Sequence, residues 1–160
     1  MVDTLQPFLA KLPFFEGLEK RHLELLVGCA SNAHYVANEY LYREGEEANQ
    51  FYIIRQGKVS IEMAVPGHGM VSLQSHEEGA VVGWAWLLQP FHWFFSARAV
   101  VVTWVITLDG AYLRRKCEQD HTLGYELHKR FAAKMERTLD LLYMQLIDLY
   151  AAPLQELAHV

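Results

Sequence analysis

Apolar side chains recur at helical spacing near both ends of the chain. Residues 3–12 follow a 3-4 spacing that Pro13 ends, and residues 18–30 repeat it. A longer pattern begins at Asp120, a candidate N-cap, and runs to about Tyr150. The sequence therefore predicts short helices before residue 30 and one long helix near the C-terminal end, which we expect Pro153 to stop.

The middle of the chain has the period of strands instead. Residues 57–65 alternate apolar and polar positions, and the PGHG loop (66–69) leads to a returning strand at 70–75, which predicts a hairpin. Three further segments are typical of strands: 35–42, 51–55 and 99–108. The last of them is apolar throughout and is predicted to be buried on both faces, after which Asp109-Gly110 turns the chain.

This order of elements predicts an α+β fold, with an antiparallel sheet or barrel and helices packed on it. A chain of 160 residues is expected to form one domain over 1–160. The expected parts are N-terminal helices at 1–30, strands at 31–108, C-terminal helices at 109–150 and a tail at 151–160.

Composition and charge exclude several classes of function. Fourteen basic and nineteen acidic residues give a net charge of −5, which disfavours nucleic-acid binding. Neither a signal peptide nor an apolar run suited to a membrane is apparent, and the two cysteines form no CxxC motif, so we expect a cytoplasmic protein with no membrane partner. The histidines are dispersed and no catalytic set is recognisable, so neither a metal site nor an enzyme is expected.

The chemistry of the chain is concentrated around one arginine. Arg98 is the only formal charge between Gly79 and Leu108, and it follows a segment rich in tryptophan and phenylalanine. Small residues at 79–83 would let the backbone aim N–H groups at an anion, which Arg98 could neutralise. The alternative is that Arg98 pairs with a carboxylate, such as Glu44, Glu46 or Glu47, and that the aromatic residues form core.

Several motifs resemble the cyclic nucleotide-binding domain family, in particular effector domains of the catabolite activator type. The matching segments are LPFFEGL (12–18), REGEEA (43–48) and FYIIRQGKVSI (51–61), followed by Gly79, Gly83 and Arg98. The resemblance covers roughly residues 10–150. It implies an eight-stranded jelly-roll β-barrel with short N-terminal helices and a long C-terminal helix.

The ligand pocket of that family is a phosphate-binding cassette, and here its sequence is degenerate. The usual pattern is Gly-Glu-aliphatic-Ala, then Arg followed by Ser or Thr and Ala. In this chain Trp84 stands at the position of the ribose-binding Glu, Trp86 at that of the small Ala, and Ala99 at that of the hydroxyl residue. The resemblance gives these candidate ligand-binding residues: Gly79, Gly83, Trp84, Ala85, Trp86, Arg98 and Ala99.

An indole offers one donor and no acceptor, so Trp84 cannot replace a carboxylate that accepts from a ribose hydroxyl. We therefore expect cyclic AMP and cyclic GMP to bind weakly, while another small anion could still bind at Arg98. The leading hypothesis is a stand-alone regulatory or sensor module for a small anionic ligand. The alternative is a ligand-free interaction module whose pocket is filled by Trp84 and Trp86.

The long helix carries a candidate dimer seam. Five apolar residues follow a 4-3-4-3 spacing: Met135, Leu139, Leu142, Leu146 and Leu149. In the family resembled, this helix pairs two subunits, so a homodimer is expected; the alternative is a monomer in which this face is core. Only ten residues follow Tyr150, which leaves no room for the helix-turn-helix domain of the related transcription factors, so direct DNA binding is not expected.

Overall fold

A computed structural model of the chain describes residues 2–156, with side chains described for residues 5–151. Within that part of the chain there are four α-helices: α1 (Val2–Lys11), α2 (Lys20–Gly28), α3 (Gly110–Gln119) and α4 (His121–Glu156). Eight strands lie between α2 and α3: β1 (Ala30–Tyr35), β2 (Tyr40–Tyr42), β3 (Gln50–Gln56), β4 (Val59–Val65), β5 (Gly69–His76), β6 (Val81–Val82), β7 (Ser96–Ala99) and β8 (Thr103–Asp109). Short 3-10 turns occupy Pro13–Phe15 and Ala85–Leu87.

The strands form two four-stranded antiparallel sheets, in the orders β1-β8-β3-β6 and β2-β7-β4-β5. This arrangement confirms the predicted jelly roll with helices at its ends. The predicted hairpin is also confirmed, because β4 and β5 pair from Val59 opposite His76 to Val65 opposite Gly69. Completely buried side chains come from both sheets, among them Ile53, Ile106, Val59 and Ala97.

Two strand predictions are wrong in their boundaries. The segment 35–42 is not one strand, because a turn divides it: Asn38 has φ +75°, and the Glu39 carboxylate accepts from the Val36 N–H at 2.8 Å. The segment 99–108 is also divided, since β7 ends at Ala99 and β8 begins at Thr103.

The prediction that 99–108 is buried on both faces is wrong for its first part. Val100, Val101 and Val102 connect β7 to β8 and are exposed, and Trp104 on β8 is half exposed. Hydrophobic periodicity does not distinguish a run of valines in a buried strand from a run of valines in an exposed connection.

The predicted N-cap of the long helix is confirmed. One Asp120 carboxylate oxygen accepts from the backbone N–H groups of Thr122 and Leu123, at 3.1 and 3.2 Å. The expected stop at Pro153 is wrong, because α4 continues to Glu156. Proline removes one backbone hydrogen bond and crowds the carbonyl four residues earlier, which disfavours a helix without forbidding it, and α4 ends three residues after Pro153.

The chain divides into two compact units, residues 1–126 and 127–160. The first contains both sheets and α1 to α3, and the described residues of the second, 127–156, belong to α4. The single domain expected over 1–160 stays a prediction, and the last four residues of the expected tail, 157–160, lie outside the described part. In the described part, no helix combines the length and apolarity that crossing a membrane requires.

Candidate functional site

The predicted ligand loop begins beside strand β3. The Gly79 N–H donates to the Ile54 carbonyl at 2.8 Å, and the Ile54 N–H donates to the Ala80 carbonyl at 3.0 Å. Strand β6 then pairs with β3, with Val82 opposite Tyr52. These bonds fix the start of the loop to the sheet.

Gly83, which ends this pairing, lies against an aromatic ring. It has φ +93°, a conformation that side chains disfavour, and a Cβ atom there would lie 2.7 Å from Cη2 of Trp93. Trp93 is buried and stacks on Tyr42, with 3.7 Å between the ring centroids. The side of the loop next to Gly83 is therefore occupied by the indole of Trp93, a residue that sequence reasoning did not single out.

The aromatic cluster continues into the barrel. Tyr42 also stacks on Tyr52 at 5.9 Å, and the Tyr52 hydroxyl donates to the Leu41 carbonyl at 3.1 Å. Burial raises the pKa of both Tyr42 and Tyr52 well above the usual value, so these phenols stay neutral. This cluster therefore surrounds Gly83 with aromatic rings that carry no charge.

The second predicted pocket tryptophan belongs to the core. Trp86 is completely buried in the 3-10 turn and stacks on Phe51 at 5.0 Å. A Cβ atom on Gly110, the first residue of α3, would lie 2.9 Å from Cβ of Trp86, so only glycine allows this approach. Trp84 immediately precedes the turn and is half-buried, and Ala85 within the turn is buried.

Arg114 of α3 bonds the backbone of the 3-10 turn that follows Gly83. Its guanidinium donates to the carbonyls of Trp86 and Ala48 and, at 2.9 Å, to the side-chain oxygen of Asn49. It also lies over the ring of Phe91, 4.1 Å from the centroid. Burial lowers the pKa of Arg114 from its ordinary value. Sequence reasoning missed this residue because nothing in the spacing of a single arginine on a helix indicates which carbonyls it meets.

Arg98 is bonded to an internal carboxylate. Its Nε donates to Oε1 of Glu62 at 2.8 Å, one terminal nitrogen lies 2.6 Å from the same oxygen, and the other donates to the Asn38 side-chain oxygen at 2.7 Å. Glu62 is nearly completely buried and also accepts from the Tyr40 hydroxyl at 3.4 Å. The hydrogen bond that Arg98 donates to Glu62 raises the pKa of Arg98. Pairing with a carboxylate was one of the two sequence interpretations, but the partner is Glu62 and not Glu44, Glu46 or Glu47.

Alternation along β7 sets the direction of Arg98. Ala97 and Ala99 are completely buried, whereas the Arg98 side chain is 27% exposed. Successive side chains of a strand point to opposite faces, so Arg98 lies on the opposite face of this sheet from Ala97 and Ala99. Its cross-strand neighbours are Ser60 and Tyr40.

The predicted site residues therefore fall into two groups. Gly79, Gly83, Trp84, Ala85 and Trp86 follow one another along the β6 segment and the 3-10 turn. Arg98 and Ala99 lie on β7, where Ala99 bonds through its backbone to Asn38 and Glu39. Their ligand-binding role stays a prediction, and Arg98 already has an anionic partner.

The predicted seam residues lie on α4. Leu139, Leu146 and Leu149 are 49–74% exposed, while Met135 and Leu142 are half-buried. Whether a second chain covers the face stays a prediction.

Comparisons with known proteins agree on one family. The sequence matches the family model of the cyclic nucleotide-binding domain over residues 33–120. Human cGMP-dependent protein kinase 2 is 30% identical over 71 residues, which are 44% of this chain and 9% of the kinase. This chain thus spans a small part of the curated kinase it matches.

Solved structures share the fold. The regulatory domain of Toxoplasma gondii PKA, solved with cAMP, has a TM-score of 0.72 at 16% identity, over 85% of this chain and 50% of that one. The regulatory subunit of a cAMP-independent protein kinase A from Trypanosoma cruzi, bound to guanosine, has a TM-score of 0.69 at 23% identity, over 90% and 51% of the two chains. At these identities the likeness establishes the architecture.

Proposed function

The chain belongs to the cyclic nucleotide-binding domain family, and on that premise we propose that it is a regulatory module that acts through protein contact and does not respond to cyclic AMP or cyclic GMP. Domains of this family are regulatory rather than catalytic, and we extend that to this chain. The net charge of −5 supports a protein partner over nucleic acid, and two free cysteines support a reducing, cytoplasmic location.

The pairing of Arg98 with Glu62 carries the proposal. A phosphate that recruited Arg98 would have to displace a carboxylate that is nearly buried. Leaving a buried carboxylate without its partner costs about 3–5 kcal/mol, which is more than the about 1.5–3 kcal/mol that a charge-assisted hydrogen bond to phosphate would return. Arg98 therefore adds little net affinity for a cyclic phosphate.

The surroundings of the glycine loop support the same conclusion. Trp93 fills the side of Gly83, and Trp84 offers no acceptor for a ribose hydroxyl. The module is then closest to the alternative in which the pocket is filled by tryptophan, with Trp93 beside the loop and Trp86 in the core. The Trypanosoma cruzi protein, which is described as cAMP-independent, is a case in which a regulatory subunit with this architecture is not governed by cAMP.

A small-anion sensor is the second candidate. The observations in its favour are that Gly79 and Gly83 both have positive φ and that the Arg98 side chain is partly exposed. In that case Arg98 would exchange Glu62 for the anion, and the Arg98→Ala variant would lose all anion binding.

Calorimetry with the full chain tests both candidates. We expect cyclic AMP and cyclic GMP to bind no tighter than about 100 μM, which corresponds to about −5.5 kcal/mol. Glu62→Gln is the informative variant, because it weakens the hold on Arg98 without removing it; we expect this variant to bind phosphate more tightly than the wild type, and an unchanged affinity would show that the ion pair is not what limits binding. A low-micromolar isotherm for the wild-type chain contradicts the proposal. Binding of phosphate or another small anion that disappears in Arg98→Ala supports the sensor instead.

The assembly we propose is a homodimer paired through α4. The support is the seam of five apolar residues, three of which are about half exposed or more. Several exposed apolar side chains in line on one helix face are typical of an interaction site.

A further inference from the structure

Helix α4 has a second line of residues with the same 4-3-4-3 spacing as the seam. It consists of Glu136, Asp140, Tyr143, Ile147 and Tyr150, which we name the flank stripe. At 3.6 residues per turn the flank stripe lies about 100° around the helix from the seam. With the seam at the a and d positions, the stripe takes the neighbouring e positions (Glu136, Tyr143 and Tyr150) and the b positions (Asp140 and Ile147). A two-helix dimer contacts e positions only along its edge and leaves b positions uncovered, so a large part of the stripe stays accessible.

All five side chains of the flank stripe are exposed. Tyr143 and Ile147 are each 58% exposed and Tyr150 is 75% exposed, so three large apolar side chains face solvent over two turns. Glu136 and Asp140 are exposed as well and precede them on the same line. The stripe is thus acidic in its first part and apolar and aromatic in its second.

We propose that the flank stripe binds an amphipathic helix of a different protein, one whose contact line carries basic residues at one end and apolar residues at the other. This inference rests on the proposed function, since it identifies the surface through which the module contacts its partner. An apolar helix face recognised through residues at 3-4 spacing is an established mode of helix binding. Basic residues opposite Glu136 and Asp140 would set the orientation of the bound helix.

A second copy of this chain does not fit the flank stripe. In a parallel arrangement the carboxylates of Glu136 and Asp140 would face the same carboxylates of the other copy. In an antiparallel arrangement they would face Tyr150 and Ile147, so that charges would be buried against apolar rings. Both arrangements are unfavourable. The sequence also has no Lys or Arg after Arg137, so the later part of the helix cannot supply the missing positive charge to another copy.

Two designed helical peptides test the proposal against the full chain. Each peptide presents five residues along one helix face: three leucines and two charged residues, which are lysines in one peptide and glutamates in the other. Each peptide is made in two versions, with the charged residues before or after the leucines in the sequence. We expect fluorescence anisotropy to show the lysine peptide in its preferred order binding about tenfold tighter than the glutamate peptide, since two surface pairs change from attraction to repulsion. The double variant Glu136→Lys/Asp140→Lys is expected to invert that preference.

Matched serine variants locate the binding surface. Ile147→Ser should weaken the lysine peptide about tenfold through lost apolar contact. Leu141→Ser is the control, because Leu141 is equally exposed at 55% but lies on another side of α4; it should bind as wild type. Circular dichroism checks that both variants keep the helix.

Three outcomes overturn the proposal: neither peptide binds, both peptides bind equally, or Leu141→Ser weakens binding as much as Ile147→Ser. Light scattering gives a further test. If the Ile147→Ser variant forms a smaller assembly than the wild type, the flank stripe contacts a second copy of the chain, and the proposal is overturned. A low-micromolar response to a cyclic nucleotide, by contrast, contradicts the proposed function and leaves the peptide result intact.

Discussion

Gly57 illustrates how one residue can be fixed by its neighbours. It has φ +111°, and a Cβ atom there would lie 2.7 Å from the Thr103 Cα and from the Val102 carbonyl oxygen. Both atoms belong to the backbone that leads into β8, so they cannot move aside without disturbing the strand. Gly67, in the β4–β5 turn, has φ +80° but open space around it.

These two glycines make a matched pair of variants. Gly67→Ala should cost about 1–2 kcal/mol of unfolding free energy, because only the left-handed conformation is penalised. Gly57→Ala should cost clearly more, about 3 kcal/mol or above, because overlap with fixed backbone adds to the same penalty. Urea denaturation measures both, and equal losses would contradict the steric argument.

The carboxylate of Asp120, which lies between α3 and α4, bonds residues of both α2 and α4. One oxygen caps α4, and the other accepts from Arg21 at 2.8 Å and lies 3.0 Å from Nε2 of His22 on α2. The hydrogen bond from His22, with help from the Leu123 N–H, lowers the pKa of Asp120 to about 2.

This lowered pKa predicts a contribution of Asp120 to acid sensitivity. The unfolded carboxyl has a pKa of about 3.9, so its stabilising contribution is fully present above that pH and is lost as the pH falls through about 2. Asp120→Asn keeps a capping oxygen but loses the charge, so its unfolding free energy should vary less between pH 4 and pH 2. Denaturation across this range measures the effect, with the exposed Ser75→Ala as a control that follows wild type. Unchanged acid dependence in Asp120→Asn would contradict the assignment.

The candidate site shows why residue-level prediction succeeded only in part. The sequence correctly marked Arg98 as a charge in need of a partner, and it left open whether that partner is an anion or a carboxylate. It could not indicate Glu62, which is 36 positions away, because the pair meets only when β4 and β7 lie side by side. The same holds for Trp93, whose role beside Gly83 depends on where the loop folds back.

At the scale of elements, α3 is joined to the predicted ligand loop by Arg114. Its guanidinium bonds carbonyls of the β2–β3 connection and of the 3-10 turn, and it stacks on Phe91. These partners are carbonyls and an aromatic ring, so the contact depends on the planar fork of arginine more than on its charge.

Arg114→Lys tests that dependence. A lysine keeps the charge but cannot reach the carbonyls in the same fork, so we expect a loss of about 1–3 kcal/mol of unfolding free energy, close to that of Arg114→Ala. The neighbouring Arg115, which is exposed, gives the control Arg115→Lys with little change. Thermal unfolding with a known enthalpy gives these values; full stability of Arg114→Lys would show that charge alone is sufficient.

Element boundaries were predicted best where alternating apolar and polar positions were bounded by turn residues. Alternation predicted β4, and the PGHG turn predicted the β4–β5 hairpin. The short strands β6 and β7 and the polar strand β1 gave no comparable signal, because pairing with neighbours rather than their own periodicity makes them strands.

At the scale of the whole molecule, the exposed face of α4 determines what assembly is expected. The seam residues Leu139, Leu146 and Leu149 are about half exposed or more in the single chain. Burying such side chains against a second helix contributes about 1.5–3 kcal/mol each when burial is complete.

A double substitution tests the dimer. Leu142→Glu with Leu146→Glu places charges in the centre of the seam, so we expect light scattering to show a monomer where the wild type is a dimer. Asp148→Glu, which lies on the side of α4 away from the seam, is the matched control and should stay dimeric. A wild type that is already monomeric at high micromolar concentration would contradict the seam assignment.

The sequence alone determined that N-terminal helices precede a region of strands and a long C-terminal helix, and it determined the hairpin, the cap of α4 and the family, because each depends on local periodicity, turn chemistry or motif spacing. Only the tertiary structure decided that Glu62 neutralises Arg98, that Trp93 packs beside Gly83 and that Arg114 bonds the loop. These contacts join residues that are distant along the chain, and their existence depends on strand register and helix placement, which local sequence patterns do not encode.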